Sequence, residues 1–282
     1  MNYRSISKKL ESCRSCGSTR LKEFLDLGTL PLADRLLTKE QLGEEEPAVP
    51  LVVVFCEHCS LVQITETVEP AVLFGQDYPY FSSVSPSLLK HFGDSAQALI
   101  QRRELGPTSL VIEAASNDGY MLRNFVDRGI PVLGIDPAHG PAKKAQESGV
   151  NTLHDFFTLE LARKLKSEGR AADLFLANNV LAHVADLNGF VEGFASVLKD
   201  TGMAVIECPY LIDLVDHCEF DTIYHQHLCY FSVIALDALF RQHGLYLNDV
   251  QRVSIHGGSL RLFIEKREAV QSSVTDLIQQ EK

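Results

Sequence analysis

From residue 110 onward, short apolar runs take turns with longer stretches whose apolar residues recur at helical spacing. SLVIEA (109–114), VLGID (132–136), NTLHD (151–155), DLFLAN (173–178) and MAVIEC (203–208) have the length and the branched residues of strands. Helices fill the intervals from 119, 138, 158 and 187, and another covers 232–243. Such alternation leaves few folds open. Each right-handed crossover lays the next strand parallel to the last, and the sheet then needs helices on both faces, so the chain is α/β. Near the end, LYLNDVQRV (245–253) and LRLFIEK (260–266) flank HGGS (256–259), which predicts an antiparallel pair at one sheet edge. Ahead of the alternation, Ser85-Pro86 starts a helix that presents Leu88, Leu89, Phe92, Ala96, Leu99 and Ile100 on one face.

Charge narrows the partners. A formal net charge of −11 disfavours a phosphate-backbone partner and predicts no nucleic acid. No run is long enough to span a bilayer, so no membrane is expected. The start, MNYRSISKKLES, lacks the apolar stretch of a secretory signal, and a cytoplasmic protein is expected. Seven cysteines in a reducing compartment then call for something other than disulfides.

Four of the seven form two C-x-x-C pairs, Cys13/Cys16 and Cys56/Cys59, with 39 residues between them. Each pair can offer two thiolates from one turn, and two such turns complete a tetrahedral S₄ shell for a structural zinc. Two unrelated thiol pairs, or a redox motif, are the alternatives. The intervening segment reads as an insertion with an exposed acidic loop at GEEEP (43–47), and His58 is left over beside the knuckle. Cys208, Cys218 and Cys229 stand alone and are expected to be buried thiols.

In a parallel sheet of this kind the ligand sits beyond the carboxyl ends of the strands, at the switch point. The first strand runs into Glu113-Ala-Ala-Ser-Asn-Asp-Gly119. Laid on the pattern E-x-G-x-G-x-G, Ala115 and Asn117 replace two glycines and only Gly119 remains. Glycines let a backbone close on a pyrophosphate, whereas alanine is merely small and asparagine tolerates left-handed geometry. A dinucleotide is poorly served, and S-adenosylmethionine, which has no phosphate, fits better. Asp136 ends the second strand, 23 residues after Glu113, where a carboxylate can accept the ribose hydroxyls. Asp155, after the third strand, can meet the adenine edge; for both acids a solvated loop carboxylate is the plainer alternative.

CRSCGS, LDLGTLPLAD, CEHCSLVQ, DYPYFSS, EAASNDGYML, GIDPA, ANNVLAHV, FDTIYHQHLCYFS and HGGSLR follow one another along nearly the whole chain. In this series the chain resembles the sugar C-methyltransferases of deoxysugar biosynthesis. The resemblance implies a class I SAM-methyltransferase fold, with a Rossmann-like sheet, preceded by a small zinc-binding domain. On that basis residues 1–75 are the zinc domain, 76–104 a connecting loop and helix, 105–268 the methyltransferase domain, and 269–282 the start of a truncated C-terminal segment. It further implies S-adenosylmethionine and zinc as cofactors, and a small keto-sugar substrate methylated next to its ketone. That reaction needs a base for the α-proton and donors for the enolate oxygen. The family's Y-H-E-H motif places the base at His227, with Tyr224 as a nearby hydroxyl and Gln226 where the family has glutamate. Tyr78, Tyr80, Asn179 and His183 match positions that line the substrate pocket, and Asn178 and Asn179 border the cofactor. An O-methyltransferase, or a non-catalytic member that keeps its SAM and zinc sites, stays open. His225 faces away from His227 if the segment is extended, and is left out of the chemistry.

Overall fold

The computed structural model describes residues 6–33, 36–73 and 80–282, so Tyr78 lies outside the described residues. The amino-terminal part contains β1 (Ser7–Lys9), β2 (Leu21–Pro31), β3 (Ala48–Cys56), β4 (Val62–Ile64), β5 (Glu66–Val68) and α1 (Pro70–Leu73). Strands β2, β3 and β4 form an antiparallel meander, and β1 pairs with β5. The helix expected after Ser85 is α2 (Pro86–Arg102). The Ser85 hydroxyl accepts from Leu88 N at its start, and Leu88, Phe92, Ala96 and Leu99 are buried along one face.

The alternating region gives β6 (Val111–Ala114), α3 (Arg123–Val126), β7 (Val132–Asp136), α4 (His139–Glu147), β8 (Thr152–His154), α5 (Leu159–Ser167), β9 (Ala172–Asn178), α6 (Leu187–Val197) and β10 (Leu198–Pro209). Then follow α7 (Leu211–Asp216), β11 (Cys229–Tyr230), α8 (Val233–Gln242), β12 (Tyr246–Val253), β13 (Ser259–Glu265) and α9 (Ser272–Gln280). Seven strands form one sheet in the order β12-β13-β10-β9-β6-β7-β8. The pairs among β6 to β10 are parallel, whereas β13 runs antiparallel to both β10 and β12. Neighbouring residues of one strand enter opposite cores. Val111 and Leu174 pack with Phe92, Phe125 and Val150, while Ile112 and Phe175 pack with Leu165 and Phe194. Burial on both faces explains why these strands read as unbroken apolar runs.

One expectation fails locally. The helix anticipated from 119 is a single turn at 123–126, preceded by tight turns such as Gly119 N to Ser116 O. Tyr120, Met121 and Leu122 are all buried, and three consecutive buried side chains cannot share one face of a helix. The turn expected at HGGS is also shaped by its neighbours. Gly257 and Gly258 have φ of 79° and 141°, and a Cβ on either would strike the carboxylate of Glu219 or Asp213.

Candidate active site and metal centre

The first knuckle closes where Gly17 N donates to Cys13 O, the second where Ser60 N donates to Cys56 O, and both turn residues are left-handed, with φ of 71° and 63°. Folding of the meander brings all four sulfurs within 4.8 Å of one another. Cys13 and Cys59 Sγ are 3.5 Å apart, Cys16 and Cys56 Sγ 3.6 Å. Backbone amides of Ser15 and Cys16 favour the Cys13 thiolate, and those of Ser18 and Leu61 favour Cys16 and Cys59. The contact with Cys59 brings the Cys13 thiol down to about 5, while Cys59 itself is pushed upward. Four clustered sulfurs with amides aimed at them fit a closed, structural zinc site. Of the three remaining cysteines, Cys208 and Cys229 are buried as expected. Cys218 is exposed, because it sits with φ of 56° in the turn that ends α7.

Over the carboxyl ends of β6, β7 and β9 lies a cavity of about 790 Å³. Its lining includes Ala115, Asn117 and Asp136 on one side and His183, Gln226 and His227 on the other. The turn after β6 keeps the path of a glycine-rich loop with only its last glycine: Ala115, Asn117 and Gly119 have φ of 54°, 49° and 77°. Asparagine adopts this geometry at modest cost, and here its side chain is used as well. Asn117 Oδ1 accepts from Ser82 N at 2.9 Å and its Nδ2 donates to Tyr80 O at 3.1 Å, which ties the segment ahead of α2 to the turn after β6.

Asp136 is only 4% exposed and accepts from Asn117 N and Ala138 N, each at 2.8 Å. Burial nevertheless pushes its carboxyl up to about 6. Asn178 and Asn179 line the same cavity, and Asn179 is left-handed at φ 53°. The other cofactor candidates are placed differently. Glu113 is fully buried beneath the turn, where its Oε1 accepts from Asn178 Nδ2 at 2.9 Å; burial holds its carboxyl well above the usual range. Gly119 faces Val150, with no room for a Cβ. Asp155 is exposed and accepts from its neighbour Phe156 N. None of Glu113, Gly119 and Asp155 is among the described residues that line the cavity.

At the other end, His227 is held by both ring nitrogens. Nδ1 lies 2.8 Å from Thr222 O, which can only accept, so Nδ1 carries the hydrogen. Nε2 is then the basic nitrogen and accepts from the Tyr224 hydroxyl at 3.0 Å. His183 packs edge-on at 4.8 Å between ring centroids, and burial together with His227 pushes it down to about 3. His183 is therefore neutral at ordinary pH. The segment is not extended here: His227 N donates to Tyr224 O across a turn. That turn, rather than strand alternation, sends His225 away, into the amino-terminal sheet. Tyr80 also lines the cavity. Sequence reasoning did not single out Glu219, Asp221 and His256, which line the same cavity, nor Thr222, whose carbonyl accepts from His227 Nδ1. Asp221 lies within FDTIYHQHLCYFS and Glu219 directly before it, and both could have been suspected from that position. A backbone oxygen leaves no signal in the side-chain pattern.

This strand order, with an acid closing the second parallel strand beside the switch point, defines the class I fold of SAM-dependent methyltransferases, here with a four-cysteine domain in front. A family model described as "Methyltransferase domain" matches residues 89–250, and one described as "Putative zinc binding domain" matches 13–74. The chain belongs to the methyltransferase family, with four clustered cysteines inside the stretch that matches the zinc-binding model. The C-methyltransferase NovU of Streptomyces niveus is 34% identical over 98% of this chain, consistent with the sugar C-methyltransferases. The match covers 66% of that relative, so the chain spans just under two thirds of its length. A ubiquinone biosynthesis O-methyltransferase of Azorhizobium caulinodans is 27% identical over 42% of the chain and 46% of its own length. Among solved structures, the PH0226 protein of Pyrococcus horikoshii OT3 covers 71% of this chain and 96% of its own, with a TM-score of 0.51 at 15% identity. Magnesium protoporphyrin IX methyltransferase of Synechocystis PCC 6803 with bound SAM gives 0.50 at 12% identity, covering 64% and 79%. These two likenesses concern the fold. No helix among the described residues is long and apolar enough to cross a membrane.

Proposed function

We propose that the chain is a C-methyltransferase that methylates a carbon α to a ketone, on a nucleotide-linked keto-deoxysugar or a related small molecule. The observation that carries this reading is the tautomer of His227. Its Nδ1–H is committed to Thr222 O, so the basic Nε2 is oriented within the cavity that Asp136 also lines. S-adenosylmethionine bound there supplies an electrophilic methyl group. Asp136 accepts its ribose hydroxyls, and Asn178 and Asn179 border it. The Tyr224 hydroxyl turns its hydrogen from His227 Nε2 toward the substrate oxygen, and the freed Nε2 removes the α-proton while Tyr224 donates to the enolate oxygen. Gln226 supplies a neutral amide beside the base and leaves its basicity lower than a carboxylate would. Thr222 O stabilises the imidazolium that forms. The 34% identity to a C-methyltransferase supports the same reading.

Incubation with labelled SAM and a panel of nucleotide-linked 4-keto-deoxysugars in D₂O tests it. The expected result is a C-methyl product and deuterium at the α-carbon. His227→Ala should abolish both while SAM still binds. An O-methyl product without exchange would make the chain an O-methyltransferase, and neither product nor exchange would leave only the binding sites.

A further inference from the structure

His227 belongs to the methyltransferase part by position in the chain, yet the segment that carries it is shared with the zinc domain. Leu228 N donates to Ala182 O at 2.7 Å, on the methyltransferase side. Leu228 O accepts from Ile64 N at 3.0 Å, on the zinc-domain side. The next two residues form β11, which pairs antiparallel with β4 as Cys229 to Gln63 and Tyr230 to Val62. The amino-terminal meander thereby becomes a four-stranded sheet whose edge strand lies just beyond the base. On the other flank of His227, His225 is 1% exposed and its Nε2–H donates to Val49 O in β3 at 2.9 Å.

Both strands that hold the segment lead directly to the sulfurs. Strand β3 ends on Cys56, and β4 begins three residues after Cys59. Gln63 ties β4 to the first knuckle, accepting from Arg14 N at 2.8 Å and donating to Ser12 O at 3.2 Å. That knuckle is fixed to α6, where Asn188 Nδ2 donates to Arg14 O and Ser15 O. Residues 224–227 form one turn whose two imidazoles point opposite ways, so fixing His225 and the 228–230 backbone leaves His227 little freedom.

We propose that the zinc domain is a clamp that sets the orientation of the His227 imidazole, with His225 as its positioning residue. The geometric part stands on the contacts above; its consequence for proton removal rests on reading His227 as the base. The test compares His225→Met, which keeps bulk and loses the donor, with His225→Gln, which keeps an amide donor, both as zinc-loaded full chains. In ¹⁵N-histidine spectra the native protein should show His227 as a neutral Nδ1–H tautomer. His225→Met should lose that signature, and α-deuterium exchange on a nucleotide-linked 4-keto-deoxysugar should slow at least tenfold. Its SAM affinity by calorimetry should stay within twofold of native, and His225→Gln should restore most of both losses. An unchanged tautomer in His225→Met overturns the clamp, as does a parallel loss of SAM affinity, which would mark a general packing role. If His225→Met fails to fold, His225→Asn, whose amide is too short to reach Val49, is read in the same way. Absence of exchange in the native protein would count against the proposed reaction alone, because the tautomer measurement needs no substrate.

Discussion

Asp136 is under two opposing influences. Burial raises its carboxyl to about 6, while the amides of Ala138 and Asn117 favour the carboxylate. The ribose hydroxyls of SAM would donate to the ionised form, so binding is supported above that pH and lost as pH falls through it. Calorimetry should therefore find SAM bound severalfold more weakly at pH 5 than at pH 7.5. Asp136→Ala should weaken binding at least tenfold at neutral pH, since hydrogen bonds to a charged acceptor are worth roughly 1.5–3 kcal/mol. The same ionisation acts on folding with the opposite sign. A carboxyl whose folded value is raised stabilises the fold at low pH and loses that contribution as pH rises from about 3.8 to about 6. Stability and cofactor affinity thus trade against each other at this one residue.

Two elements depend on contacts distant in sequence. The knuckles, one ahead of β2 and one between β3 and β4, are closed by backbone turns, but only a metal neutralises four thiolates in one place. Elemental analysis should give about one zinc per chain. Cys56→Ser should lower thermal stability by several degrees and the zinc content with it, because a structural site contributes folding energy. Helix α8 offers the second case. Glu281, just past α9, accepts from Val233 N and Ile234 N at 2.7 and 2.8 Å and from the Tyr210 hydroxyl at 2.9 Å. Its carboxylate meets the positive end of the helix, and Glu281→Ala should cost about 1–3 kcal/mol in urea denaturation. Neither Glu281 nor its partners carry any mark in the sequence that pairs residues 48 positions apart.

At the scale of the molecule, most buried apolar residues of the zinc domain and those of one sheet face form one continuous core, with Leu32, Val49 and Val68 in a small cluster apart. Leu51, Val53, Cys56 and Ile64 join the same cluster as Leu228, Phe231 and Phe175. Scanning calorimetry of the zinc-loaded protein should accordingly show one cooperative transition; two separate ones would mean that the shared core contributes little. The sequence by itself determined the alternating sheet, because apolar runs and helical spacing report local geometry directly. It also determined the four sulfurs, whose paired spacing a single metal can satisfy. Three placements depended on the tertiary structure. Asp136 and Asp155 read alike as strand-end acids, yet one is buried and the other faces solvent, since depth follows from packing between elements. The protonated nitrogen of His227 follows from a carbonyl five residues away that no side-chain pattern encodes. The pairing of β11 with β4 joins residues more than 160 positions apart, a non-local contact formed only when both parts of the chain are folded.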